Sequence, residues 1–433
     1  MTETTDSRPG AHTTDVPGTA GTSVAERMRL AALDDVHLVD TPPEERFDRI
    51  TRLAKEIFGV PIAEINLLGE FDQFTKSPQP AGVSVHRPVD ESFCNTTIQS
   101  SDVLLVPDAT KDDRFSAHDA VTGDHHVRFY AGRPLSLGDD LRIGTLCIVD
   151  LEPRELSAAD LEVFDEMGAW VERELRDSRD PDGEAVPDAT AASIPNPPTP
   201  SPGIARPAGL ADAPLMSPMS LAIATPTFSI AATSVPMRKV GSDFFAWREV
   251  DGVVELTVAD VMGKGAVAAA IASTVRDTLQ AHAGVDVGET LRFANADLAR
   301  DLKLAGIFAT LFHARIEVKT GIVEYADAGH GLTLIVRADG AVERLESSGF
   351  PLGLMAKGTW AVRSTVLHDG DILVSFTDGV LALFDGTIAS LDDVVALVRS
   401  SSTTRDVVDR VVALNKRKRS GDDVTIIALS RTE

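Results

Sequence analysis

Val253-Val-Glu-Leu-Thr-Val-Ala-Asp-Val-Met-Gly-Lys-Gly265 is a β-prone run that delivers a carboxylate, Asp260, to its end and then turns through glycine into the Ala-rich segment Ala266–Leu279. The run predicts a strand over Val253–Val258, and the Ala-rich segment predicts a helix. Further strands are expected at Thr310–Val318, Ile322–Ala326, Leu332–Val336, Ile372–Phe376 and Val424–Leu429, and helices at Leu391–Val398 and Arg405–Leu414. Lys319-Thr-Gly321 reads as a hairpin connection, with glycine available for positive φ. Many strands with helices set between groups of them indicate a sheet sandwich faced by helices.

Acidic residues recur at the ends of these runs: Gly241-Ser-Asp243, Ala259-Asp260-Val261, Thr377-Asp378-Gly379 and Gly421-Asp422-Asp423. Each alone is ordinary turn chemistry, since Asp-Gly is a common turn dipeptide. A carboxylate against apolar strands, however, needs compensation by hydrogen bonds or a cation. Several aspartates with no nearby Cys or His cluster favour a hard ion such as Mg²⁺ or Mn²⁺. Two such ions would polarise a phosphoryl oxygen and ready a water for attack.

Upstream, the chain divides. Ten of the 24 prolines fall between Pro181 and Pro218, in text such as Ile194-Pro-Asn-Pro-Pro-Thr-Pro-Ser-Pro202. Proline removes amide donors and fixes φ, so residues 178–218 are expected to form an extended linker. A polar tail over 1–23, a globular block over 24–177 and a second over 219–433 complete the expected organisation. In the first block, Thr41-Pro-Pro-Glu44 has the spacing of a capping box with proline at the first helical position. Phe47, Ile50, Leu53, Ala54, Ile57 and Phe58 follow at helical spacing. Strand-like runs at Val60–Leu68, Val103–Val106 and Ile143–Val149 precede a closing helix that starts at Ser157-Ala-Ala-Asp160. That order predicts an α+β domain with a central antiparallel sheet and flanking helices.

The 433 residues carry 41 Lys and Arg against 66 Asp and Glu, a formal charge of −25. Such a chain repels phosphate backbones and anionic lipid, so neither nucleic acid nor a membrane is expected as partner. No apolar run reaches transmembrane length and the start lacks a signal-peptide pattern, which makes the cytoplasm the expected compartment. Two cysteines cannot build a disulfide framework. Cys94 reads either as a reactive thiol or as a small core side chain, and Cys147 as core. His125 and His126 read as exposed loop residues, because adjacent side chains point apart.

Two resemblances follow from ordered motifs. Glu91-Ser-Phe-Cys-Asn-Thr-Thr-Ile98, Val106-Pro-Asp-Ala109, Arg128-Phe-Tyr-Ala-Gly-Arg-Pro-Leu135, Ile143-Gly-Thr-Leu-Cys-Ile-Val-Asp150 and Pro153-Arg-Glu-Leu156 resemble a GAF sensor domain, whose ligand here is unknown. The Asn-Lys…Asp-Glu signature of cyclic-nucleotide binding in that family does not occur. Val258-Ala-Asp-Val-Met-Gly-Lys-Gly265, Phe308-Ala-Thr-Leu311, Tyr325-Ala-Asp-Ala-Gly-His330, Gly349-Phe-Pro-Leu-Gly353, Gly370-Asp-Ile-Leu-Val-Ser-Phe-Thr-Asp-Gly379 and Asp422-Asp-Val-Thr425 resemble the PPM-type, metal-dependent serine/threonine phosphatases of the sporulation-E/Rsb branch.

The second resemblance implies a β-sandwich flanked by helices, with two Mn²⁺ or Mg²⁺ ions at one end. By the same resemblance Asp260 bridges both ions, the Val261 carbonyl is a backbone ligand, Asp378 and Asp422 complete one ion's shell, and Asp243 holds the other ion. Asp260, Asp378 and Asp422 are thereby the expected catalytic residues. The implied substrate is a phosphorylated anti-sigma-factor antagonist. His330 is either a proton donor or part of a structural turn. Lys264 is not a nucleotide-binding lysine, because the phosphate-loop spacing needs glycine where Val258 stands. Lys416-Arg-Lys-Arg419 either attracts a phosphorylated substrate or complements a helix end.

Departures from the phosphatase pattern are Ser242 for glycine, Ala246 for aspartate and Ala382 for glutamate. They leave open a catalytically weak or inactive scaffold that binds phosphoproteins. The proline-rich stretch interrupts any continuous helix between the blocks, so coupling is expected through direct docking or homodimerisation.

Overall fold

The computed structural model describes residues 23–79, 85–138, 141–179, 219–238, 240–263, 265–345 and 349–432. The expected tail, apart from Ser23, and the linker from 180 to 218 lie outside the described residues, as does Lys264.

The first block runs α1 (Val24–Asp35), α2 (Glu45–Phe58), β1 (Ile62–Leu68), β2 (Asp72–Ser77), β3 (His86–Pro88), α3 (Phe93–Thr97), β4 (Leu104–Val106), α4 (Asp119–Thr122), β5 (Phe129–Ser136), β6 (Arg142–Asp150) and α5 (Ala158–Arg179). Its six strands form one antiparallel sheet in the order β3-β2-β1-β6-β5-β4. α1, α2 and α5 cover one face, where Phe47, Ile50, Phe164 and Trp170 are buried against Ile65, Phe129 and Leu146.

The helix expected to begin at Thr41 begins at Glu45. Pro42 and Pro43 precede it rather than opening it, and Thr41 donates its hydroxyl to the Leu38 carbonyl at 2.7 Å. Glu44 is the residue before the helix but makes no capping hydrogen bond with its side chain. It pairs with Lys76 at 2.6 Å and Arg46 at 2.7 Å instead. The first helical amide, of Glu45, donates to the Gly386 carbonyl in the second block at 3.0 Å.

The second block runs β7 (Met219–Ala224), β8 (Phe228–Val235), β9 (Asp243–Val250), β10 (Val253–Val261), α6 (Gly265–Ala281), α7 (Val287–Ala305), β11 (Ala309–Glu317), β12 (Ile322–Ala328), β13 (Thr333–Val336), β14 (Val342–Arg344), β15 (Arg363–Val366), β16 (Ile372–Phe376), α8 (Asp378–Leu381), α9 (Leu391–Arg399), α10 (Thr404–Lys418) and β17 (Val424–Arg431). A five-stranded sheet, β15-β12-β11-β10-β9, faces a six-stranded one, β14-β13-β16-β17-β8-β7. Side chains alternate across each strand, so each sheet has an inner row and an outer row. The inner rows, among them Phe245, Leu256, Phe312, Ile335, Leu373 and Ile427, form the core between the sheets. The outer row of the five-stranded sheet packs on α6 and α7, and that of the six-stranded sheet on α9 and α10. The layers are helix, sheet, sheet, helix. β7, β8, β9, β14, β15, α7 and α8 go beyond the expected elements. α7 is amphipathic through Leu291, Ala294, Leu298 and Leu302, and Gly306 in the left-handed region at φ 60° ends it.

The outer row of the five-stranded sheet also buries a polar group. His313 on β11 sits opposite Thr257, whose hydroxyl is 2.9 Å from its Nδ1. Glu255, Arg248 and Arg315 are the charged groups around it. Burial pushes the His313 pKa down to about 4 despite Glu255. The folded protein therefore keeps His313 neutral at pH values where the unfolded chain, with a pKa near 6.5, takes up a proton. Stability is then lost as pH falls from about 6.5 toward 4. We predict that the parent loses about 2 kcal/mol more of unfolding free energy between pH 7 and pH 5 than His313→Gln does. Urea melts at the two pH values measure the difference, and equal losses would contradict the assignment.

Candidate metal centre

On β10, Val254, Leu256 and Val258 face the opposite sheet, and Asp260 continues their row at its end. On β9 the inner row carries Phe245, and Asp243 precedes it in phase. The register pairs Asp243 with Asp260 directly. On β17, Ile427 and Leu429 are inner, so Thr425 and Asp423 extend that row to the same end of the sandwich. The hydrophobic rows thus end in acids where the sheets meet solvent, a placement set by strand period alone.

Asp423 fixes the turn before β9. Its Oδ2 accepts from the Ser242 amide at 2.7 Å and more weakly from the Asp243 amide at 3.4 Å, and its Oδ1 accepts from the Met237 amide at 2.8 Å. A Cβ on Gly241 would stand 2.7 Å from that Oδ2, so the turn closes only around glycine. Asp378 opens α8, just beyond β16. Thr377 and Thr425 exchange hydrogen bonds at 3.0 and 3.1 Å, locking the start of α8 to β17. Gly379 packs so closely there that a Cβ would lie 1.8 Å from the Asp423 carbonyl oxygen. Asp422 stands one residue before, its Oδ1 accepting from the Asp423 amide at 2.9 Å.

Asp243, Asp260, Asp378 and Asp422 consequently share one electrostatic neighbourhood. Burial raises the Asp243 pKa well above the usual carboxylate range, with Asp260, Asp423 and Asp422 adding to the rise. Burial likewise pushes Asp378 up to about 8, with Asp422 and Asp260 raising it and Arg49 opposing. Among the described residues, the Asp243 Oδ2 is buried without a hydrogen-bond partner. A buried acceptor left unpaired within an all-oxygen carboxylate set fits a hard divalent cation.

The cation found at the site belongs to the chain. Arg49, from α2 of the first block, places Nη1 at 2.7 Å from Asp260 Oδ2 and 3.4 Å from Asp378 Oδ2. Its Nη2 lies 3.2 Å from Glu174 Oε1 on α5. The four side chains keep only 10–16% of their exposure, so this is not a screened surface pair. Among the described residues, no three His, Cys, Asp or Glu side chains are gathered closely enough to grip an ion in this arrangement. A cleft of about 240 Å³ opens beside Arg49, lined also by Arg52, Glu56, Gly331 and Arg344.

Other residues singled out in the sequence fall as follows. Val261 ends β10 with its side chain in the core against α6 and α7. His330 is buried, held at a pKa of about 4 by desolvation, with Nε2 3.4 Å from Ser375 Oγ. Ser242 is accommodated, its hydroxyl turned to Asp423 at 3.4 Å. Ala246 is buried and Ala382 exposed. Lys416, Arg417, Lys418 and Arg419 are exposed at the end of α10. Cys94 and Cys147 are buried, and both accept from Asn66 Nδ2, at 3.7 and 3.4 Å. His125 and His126 are exposed. Sequence reasoning missed Arg49, Glu174 and Asp423's anchoring of the turn. Only Asp423 had a signal, its in-phase position ahead of Thr425, Ile427 and Leu429.

Residues 250–432 match the Stage II sporulation protein E (SpoIIE) family, and residues 42–175 match the GAF domain family. The chain is thus a GAF domain followed by a SpoIIE-type PPM domain. It is 36% identical over 130 residues to cyclic di-GMP phosphodiesterase PA2567 of Pseudomonas aeruginosa, covering 30% of this chain and 22% of that protein. It is 27% identical over 154 residues to phosphoserine phosphatase RsbU of Bacillus subtilis, covering 35% of this chain and 46% of that protein. The matches therefore span less than half the length of either relative. The solved RsbU and RsbW domains of Rv1364c from Mycobacterium tuberculosis superpose with a TM-score of 0.43 and 28% identity, over 48% of this chain and 62% of that one. Among the described residues, no helix is long and apolar enough to cross a membrane.

Because Asp423 accepts from the Met237, Ser242 and Asp243 amides at once, Asp423→Ala is expected to destabilise the protein by about 3 kcal/mol. The midpoint of urea unfolding reads this out, and a change below about 0.5 kcal/mol would contradict the anchoring role.

Proposed function

We propose that the chain is a metal-dependent protein serine/threonine phosphatase governed by its GAF domain. The observation that carries this reading is the convergence of Asp243, Asp260, Asp378 and Asp422 at one end of a sandwich in a SpoIIE-family domain. In this reading Asp243, with its unpaired oxygen, Asp260, Asp378, Asp422 and the Val261 carbonyl would hold two divalent ions, Mn²⁺ or Mg²⁺.

Divalent cations, when bound, supply the Lewis acidity that makes water a competent nucleophile toward phosphorus at neutral pH. The chain's own contribution is placement. Asp423 holds the turn that carries Asp243, the Thr377–Thr425 lock holds Asp378, and the paired register holds Asp260 beside Asp243. His330 is neutral and buried beside Ser375, which fits a structural member of the turn better than a proton donor.

The proposed substrate is a phosphoserine or phosphothreonine protein of the anti-sigma-factor-antagonist type, supported by the likeness to RsbU. Asp260→Asn and Asp378→Asn are each expected to lower Mn²⁺-dependent hydrolysis of p-nitrophenyl phosphate and of such a phosphoprotein by roughly 100-fold or more. Unchanged turnover in either variant would remove the mechanism. Failure to bind Mn²⁺ at millimolar concentration, in the parent and equally once the Arg49 side chain is removed, would favour the inactive scaffold.

A further inference from the structure

The contact between the two blocks is built like a domain core. Trp170 of α5 meets Phe308 edge-on, with ring centroids 4.6 Å apart. Met262, Phe308 and Leu354 of the phosphatase domain are buried in the same apolar cluster as Phe47, Phe164 and Trp170. At the rim, Lys303 pairs with Glu162 at 3.1 Å and Glu166 at 3.3 Å. This face covers the end of the sandwich where the acids gather, and Arg49 is the side chain it inserts among them.

Arg49 is prepared for that position by its own domain. Glu174 accepts from Arg49 Nη2, and Trp170 Nε1 donates to the same Glu174 oxygen at 3.1 Å. The guanidinium also lies over the Trp170 ring, 5.2 Å from its centroid. A planar fork of this kind can span two carboxylates at once, as a lysine ammonium does less well. The pairing is nevertheless incomplete, since Arg49 Nε is buried without an acceptor among the described residues. A buried donor left unpaired costs free energy in the docked form, which lowers the cost of withdrawing the arginine.

We infer that Arg49 is an autoinhibitory plug: in this docked arrangement the GAF domain uses it as an internal cation that occupies Asp260 and Asp378, excludes divalent metal from them and covers the centre against a phosphoprotein. The inference rests on the metal-dependent reading above. Metal and Arg49 compete for the same two carboxylates, so metal uptake and undocking of α2 are one linked equilibrium. The apparent metal affinity is reduced by the fraction of molecules in the open state.

The test uses the full chain. Mn²⁺ binding is followed by the electron paramagnetic resonance of free Mn²⁺ in the parent and in Arg49→Ala, with p-nitrophenyl phosphate turnover as a second readout. Arg49→Ala is expected to bind Mn²⁺ about tenfold more tightly or better, as follows if the docked form outweighs the open one by ten to one. Its basal turnover should rise. Equal or weaker binding in Arg49→Ala, with Mn²⁺ still bound by the parent, would overturn the plug and leave the phosphatase reading standing. Absence of Mn²⁺ binding in both would overturn the metal reading and the plug with it. Should Arg49→Ala not fold, hydrogen exchange on the parent decides the matter. Saturating Mn²⁺ should deprotect the leading Glu45 amide of α2, whose acceptor is the Gly386 carbonyl of the second block, and unchanged protection of that amide alongside bound Mn²⁺ would overturn the plug.

Discussion

Carboxylates brought together at the end of an apolar sandwich repel one another, and desolvation penalises each of them further. The arrangement of this protein follows from how that repulsion is relieved. Backbone amides relieve it at Asp423, which accepts from Met237, Ser242 and Asp243. A guanidinium relieves it at Asp260 and Asp378. At Asp243 one buried oxygen is not relieved by any partner among the described residues. An acid cluster of this kind stores an affinity for positive charge, and the same affinity serves either a divalent ion or an arginine from the neighbouring domain.

Much of the second block was legible because strand period and acid position coincide. In Val254-Glu-Leu-Thr-Val-Ala-Asp260 every second residue faces the opposite sheet, so the carboxylate that ends the row is carried to the sandwich end by geometry alone. The Lys319-Thr-Gly321 hairpin was equally readable, with Gly321 at φ 77° between β11 and β12. The expected start of α2 was misplaced, because a capping pattern of threonine and proline is satisfied by other contacts once Lys76 and the Gly386 carbonyl lie nearby. β7, β8 and β9 escaped because their runs mix apolar residues with Ser, Thr, Asp, Arg and Glu and gain β structure from pairing, β8 with β17, β9 with β10 and β7 with β8.

Arg49 could not be read from the chain at all. It lies 211 residues from Asp260, and within α2 it is one of several arginines beside the apolar stripe. Nothing local separates it from Arg46, which pairs with Glu44, or Arg52, which pairs with Glu45. Its role depends on docking, which in turn depends on Trp170, Phe308 and Met262 forming one apolar cluster across the two domains. The proline-rich text between residues 181 and 218 pointed away from a rigid rod and to docking or homodimerisation, without indicating which faces would meet.

The missing cap of α2 gives the interface a further property. Glu44 spends its side chain on Lys76 and Arg46, and the leading amide of the helix finds its acceptor only in the Gly386 carbonyl across the domain boundary. Separation hands that amide to water and exposes the leading turn to fraying. The two blocks are thus joined by a helix end that is complete only in company, and an effector that stiffened or loosened this single turn would shift the association without touching either hydrophobic core.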